Sequence, residues 1–153
     1  MSWTPGRQEV LAALASGSMQ QVAGGQAAGQ GWMVDARRKS QTARLIADAD
    51  PESAFATAYD AARFALVGVL AQQGLRSTQR GGHLGVEHAI RAQFGAVFAS
   101  FGALRRRRAE LEYPSYPGEK VEAEELQDAI TTVEAIIEGA EKLVSHLGIF
   151  STT

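Results

Sequence analysis

Residues 50–74, DPESAFATAYDAARFALVGVLAQQG, decide the fold class. Asp50 can accept hydrogen bonds from the free amides of a helix start, and Pro51 suits the first turn, where its missing N–H costs nothing. Beyond them Phe55, Tyr59, Ala62, Leu66 and Val69 recur at three- and four-residue steps, which lines one face of a helix of 3.6 residues per turn. Phe64, Ala65, Val67 and Leu70 widen that face until little of the middle is polar. A helix apolar nearly all round belongs at the centre of a bundle, and Gly74 supplies its stop.

Working outward, the flanking segments also carry helical periods. Towards the N-terminus, Met33, Ala36, Ser40, Ala43 and Ala47 mark a helix over about Trp32 to Ala49, with Arg37, Arg38, Lys39 and Asp48 elsewhere on the wheel. Ser16 to Gly31 is rich in Gly, Ala and Gln; since each interior Gly costs roughly 1 kcal/mol relative to Ala, a loop or frayed helix is expected there. Thr4-Pro5 reads as a cap and first position of a short helix bearing Val10, Leu11 and Leu14.

Towards the C-terminus, Leu75 to Gly82 reads as a polar loop and candidate mobile segment. Val86, Ile90, Phe94, Val97, Phe101, Leu104 and Leu111 then continue a stripe, with a bend expected near Gly95 or Gly102. Pro114 ends it at Tyr113, and Tyr113 to Gly118 forms a stiff turn. From about Val121 to Leu147, Leu126, Ile130, Val133, Ile137, Ala140 and Val144 oppose Glu122, Glu125, Asp128, Glu138 and Glu141 in the cleanest amphipathic segment of the chain. Alternating β patterns of useful length and solenoid repeats are absent. These features predict an all-α fold, an antiparallel up-down four-helix bundle with a short extra N-terminal helix. They place one domain over 1–153, with 1–31 as N-terminal helix and linker and 32–147 as the bundle core.

At 153 residues the chain has the size of a single domain. Fifteen Lys plus Arg against 17 Asp plus Glu give a formal charge of −2, so any surface that attracts nucleic acid must be local. The lack of cysteine excludes disulfides, thiolate metal sites and a Cys nucleophile. Met1 to Pro5 lacks the basic and apolar regions of a signal peptide and no 18-residue apolar run is apparent, so the cytoplasm is the expected compartment, with no membrane partner.

The densest charge cluster is Arg105-Arg106-Arg107-Arg108, followed by Glu110 and Glu112. Successive residues turn by about 100°, so four arginines in a row point in four directions. Arg108 lies four after Leu104 and three before Leu111, on the apolar stripe, whereas Arg106 lies well away from it. Such a cluster either makes exposed pairs with Glu110 and Glu112 at the helix end or grips an anion such as a nucleotide or RNA phosphate. Asp60 and Arg63 interrupt the central helix three residues apart and pair there, unless they face a cavity shared with Arg108. His83 and His88, with Glu87 between, are spaced poorly for a metal site, and none is expected. His146 suits the end of the last helix. Gly24, Gly25, Gly29 and Gly31 do not follow a strand, which argues against a phosphate-binding loop.

The segment Ala58 to Ala65, followed by Leu70 and Gly74, resembles the first long helix of the HEPN family. The segments His83 to Phe94 and Arg108-Ala109-Glu110-Leu111-Glu112-Tyr113 resemble that family's second helix and its ending, over about Asp48 to Leu147 in all. The resemblance implies a helical bundle that works as a homodimer, needs no cofactor and binds RNA or a nucleotide, in some members as part of a toxin–antitoxin pair. Members that cut RNA carry Arg, four to six residues, then His. Here Arg108 is followed, after four intervening residues, by Tyr113, and a phenol with a pKa near 10 is a poor general base at pH 7. The resemblance thus implies a binding module with Arg105, Arg108, Tyr113 and Asp60 as ligand-binding residues. Tyr113 or Tyr116 would be presented to a nucleotidyltransferase partner of the MNT type. A metal-independent ribonuclease of altered motif, using Arg108, Tyr113 and His83, is the alternative, and a structural protein-interaction bundle the third.

Overall fold

A computed structural model describes residues 3–153; Met1 and Ser2, the first residues read for a targeting signal, lie outside it. Helix accounts for 69% of the chain, so the fold is predominantly α-helical as expected. The helices are α1 (Arg7–Ser16), α2 (Gln30–Ile46), α3 (Pro51–Gln72), α4 (Gly82–Phe94), α5 (Ser100–Glu112) and α6 (Ala123–Val144). Two strands, β1 (Met19–Gln21) and β2 (Leu75–Ser77), join them.

The 22-residue α3 is the hub. Asp50 caps it as expected, accepting from the Ser53 amide at 3.2 Å and the Ser53 hydroxyl at 2.6 Å, and Pro51 occupies the first turn. Its broad apolar surface is used on several sides, because α2, α6, α5 and α4 all pack against it. Ala54, Phe55, Tyr59, Ala62, Leu66, Val69 and Leu70 are buried there, against Ile130, Val133 and Ile137 of α6 and Phe101 of α5 in one core. By length and composition α3 is also apolar enough to cross a membrane, which the sequence did not suggest, since Asp60 and Arg63 interrupt the run; 67% of that window is buried inside the fold.

Several expectations are corrected. Pro5 does not open the first helix: Gly6 adopts a left-handed backbone (φ 73°) ahead of Arg7, and the helix begins after it. Ser16 to Gly31 is neither loop nor frayed helix throughout. It holds β1, a 3-10 turn at Gly24–Ala27 and the start of α2. Nor is Leu75 to Gly82 a free loop, because β2 pairs antiparallel with β1 in the register Met19 to Ser77, Gln20 to Arg76 and Gln21 to Leu75. The N-terminal segment is part of the fold rather than a linker: α1 packs on α4 and β1, and Val10 is wholly buried. The last helix spans 123–144, shorter than the expected 121–147.

The long stripe after residue 82 breaks where Gly95 takes φ 59°, inserting a 3-10 turn between α4 and α5. That break lets the two helices fold face to face. A Cβ at Gly102 would collide with the Glu87 carboxylate, so a larger residue there would require the buried Glu87 side chain to shift.

Candidate functional site

Three helices, α3, α4 and α5, bring most of the polar candidates to one end of the core. Tyr59 is buried within the α3 stripe and stacks on Phe101 of α5, ring centroids 5.3 Å apart. Its hydroxyl lies 3.0 Å from Nδ1 of His83, in the first turn of α4. His83 is exposed at the surface with that nitrogen turned inward. Around the pair stand Asp60 and Arg63 from α3 and Arg105 and Arg108 from α5.

The electrostatics follow from burial and this ring of charge. Burial pushes the Tyr59 phenol up to about 12, against the opposing pull of Arg63, Arg105 and Arg108. Partial burial, reinforced by Arg63, Arg108 and Arg105 and resisted by Asp60, holds the His83 imidazole below its ordinary value. Neutral imidazole is therefore the resting form at pH 7.

Carboxylates occupy only part of each guanidinium. Arg63 meets Asp60 at 3.5 Å and also covers the Phe64 ring. Arg105 donates through Nε to Glu87 at 2.5 Å, and Arg108 pairs with Glu112 one turn along its own helix. The Nε atoms of Arg63 and Arg108 are buried without a hydrogen-bond partner. Such orphaned donors are costly.

A cavity of about 310 Å³ opens beside His83. Arg63 and His83 share its wall with Trp32, Arg76, Ser77 and Thr78. Arg63 and Arg76, rather than Arg108, are thus the arginines that meet His83 at a cavity. Arg108 lines a separate hollow with Glu52, Ser53 and Leu111, and Tyr113 sits at the end of α5 with its ring exposed. Asp60, His83, Arg105 and Arg108 are gathered around Tyr59, while Tyr113 is not among the groups that act on it.

Within the arginine run, Arg106 is exposed as its position on the wheel implied. Arg107 is the most heavily bonded member and was not singled out from sequence. It reaches Glu125 at 2.9 Å, Glu110 at 3.0 Å, Glu119 at 3.3 Å and the Lys120 carbonyl at 3.2 Å, which ties the 113–122 connection to α5. Trp32, Arg76, Ser77 and Thr78 were also missed, since only the β1–β2 pairing and the α2–α3 packing carry them to the cavity. The two histidines line different hollows, His83 this one and His88 the groove between α1 and α4. Among the described residues no three His, Asp or Glu side chains are placed to hold a metal ion.

No protein-family model, curated protein or solved structure matches this chain.

Proposed function

We propose that this chain is a HEPN-like module, an up-down four-helix bundle with additions, that binds the phosphate of a nucleotide or RNA in the cavity beside His83. The observation that carries it is that Arg63, Arg76 and His83 line one cavity, with the Nε donor of Arg63 left without a partner. Guanidinium forks match phosphate oxygens in planar, paired geometry. Trp32 supplies an aromatic wall on which a base stacks, and Ser77 and Thr78 supply hydroxyls. With the Tyr59 phenol donating to Nδ1, His83 carries its proton on Nε2 and donates it to the anion.

The module acts in the cytoplasm as a homodimer, and binding rather than cleavage is its activity. Arg108 and Tyr113, which hold the places of the Arg and His of members that cut RNA, lie outside the cavity beside His83. Exposed Tyr113 and Tyr116 beside Arg107 and Arg108 form the face offered to a partner such as an MNT-type nucleotidyltransferase.

Tryptophan fluorescence tests the binding. With Trp3→Phe removing the second indole, AMP or a short single-stranded RNA is expected to quench Trp32, more weakly as salt rises. Arg63→Gln should weaken binding about tenfold, roughly 1.4 kcal/mol. The absence of both quenching and binding with every ribonucleotide at low salt, or full affinity in Arg63→Gln, would overturn the proposal.

A further inference from the structure

Between α1 and α4 lies a second hollow, of about 640 Å³, which shares no lining residue with the cavity beside His83. Its origin is legible in side-chain size. Ala12 and Ala13 of α1 face Ala89 and Ala92 of α4, so methyl groups stand where larger aliphatic side chains would interdigitate. Leu84 completes the apolar wall and is 45% exposed.

The rim has the opposite character. Arg80, His88 and Arg91 stand there against a single carboxylate, Glu9. Arg80 is exposed and, among the described residues, forms no ion pair. Arg91 has only Glu87, at 3.6 Å, and that carboxylate is already held by Arg105 at 2.5 Å. The cationic rim is therefore undercompensated. Exposed arginines at a hollow's edge attract an anion, and an alanine-lined floor attracts hydrocarbon; one ligand satisfies both when it carries a negative head on an aliphatic body.

We propose that the α1–α4 hollow binds a small anionic amphiphile, an aliphatic carboxylate or phosphate of medium chain length. Its volume lies in the range of small-ligand cavities, about 300–1,000 Å³. The head sits between Arg80 and Arg91, within reach of His88, and the chain lies over Ala12, Ala13, Ala89 and Ala92. This site is independent of the phosphate cavity, and its ligand is chosen by hydrocarbon as much as by charge.

Decanoate, 1-decanol and acetate are the probes, titrated into the full chain and followed by methyl NMR and calorimetry. Decanoate is expected to bind saturably, to shift the alanine methyls of the hollow, and to bind at least about tenfold more tightly than 1-decanol. Acetate should not bind. Ala12→Trp and Arg80→Glu change exposed positions, so the fold survives them. The first should abolish binding of both ten-carbon probes, and the second should bring decanoate down to the affinity of decanol. No saturable decanoate binding up to about 1 mM, shifts mapping elsewhere, or undiminished decanoate affinity in either variant would overturn the proposal. Decanol binding as tightly as decanoate would also overturn it, because the hollow would then be a plain apolar cleft of the kind that packs against another protein.

Discussion

The Tyr59 hydroxyl and the Nδ1 nitrogen of His83 lie 3.0 Å apart and couple the buried face of α3 to the exposed start of α4. One partner is in the core and the other at the edge of a cavity, so changes in the cavity are felt by a residue packed against Phe101.

Both groups make stability depend on pH, with signs that follow from their shifts. His83 titrates below its ordinary value of about 6.5 in the folded chain. As pH falls through 6.5 the unfolded chain takes up its proton first, so this contribution, complete above 6.5, is lost on acidification. Tyr59 is displaced upward, to about 12. The unfolded phenol ionises first, so its contribution is complete below pH 10 and lost between there and about 12. Urea melts across pH should lose the acid step in His83→Gln and the alkaline step in Tyr59→Phe.

Glycine at position 102 leaves the space that the Glu87 carboxylate of another helix occupies. Gly102→Ala should destabilise the fold by about 1–3 kcal/mol, because its methyl displaces Glu87 from Arg105. The companion Glu87→Gln keeps the shape and removes the charge, and should cost about as much by leaving Arg105 without its counter-ion. Denaturant unfolding of both variants checks this; a wild-type midpoint for Gly102→Ala would contradict the close approach.

Gln73 and Gln93 join their side chains in the core and hold Phe150 and Trp3 through their backbones. Gln73 and Gln93 are buried and exchange hydrogen bonds of 2.6 and 2.9 Å. The backbone carbonyl of Gln73 also accepts from the Phe150 amide, and the backbone carbonyl of Gln93 accepts from the Trp3 indole. Gln73→Leu strands the Gln93 amide and should cost about 1–3 kcal/mol beyond any effect of shape. Replacing both by leucine should recover part of that loss, and a double-mutant cycle by thermal melting measures the difference.

The arginines of the run should separate by role. Arg107→Ala should destabilise by about 1–2 kcal/mol and raise hydrogen exchange at residues 113–122, because it breaks a network of three carboxylates and a carbonyl. Arg106→Ala, at an exposed position, should stay within about 0.5 kcal/mol of the native chain.

What could be read from sequence had a period or a local cap. Asp50 and Pro51 announce α3 within four residues, and the stripe from Phe55 to Val69 states its burial. The exposure of Arg106 follows from rotation about the same kind of axis. By contrast, β1 and β2 are three residues each, too short for alternation to register, and each becomes a strand only by meeting a partner 54 to 58 positions away. Arg107 finds Glu119 and Glu125 across a connection whose path the sequence does not state. The Asp60–Arg63 pair was visible as a three-residue step. That Arg63 also faces His83, Trp32 and Arg76 across a cavity depends on the packing of α2, β2 and α4 on α3.

The central claim, a phosphate site beside His83, is tested most directly by the His83 imidazole itself. Its NMR titration should be recorded with the free chain and with saturating AMP. A bound phosphate is predicted to raise the His83 value, since a dianion favours the charged ring, and Arg63→Gln should need about tenfold more AMP to produce the same shift. An identical titration curve with and without nucleotide in the native chain would contradict the account.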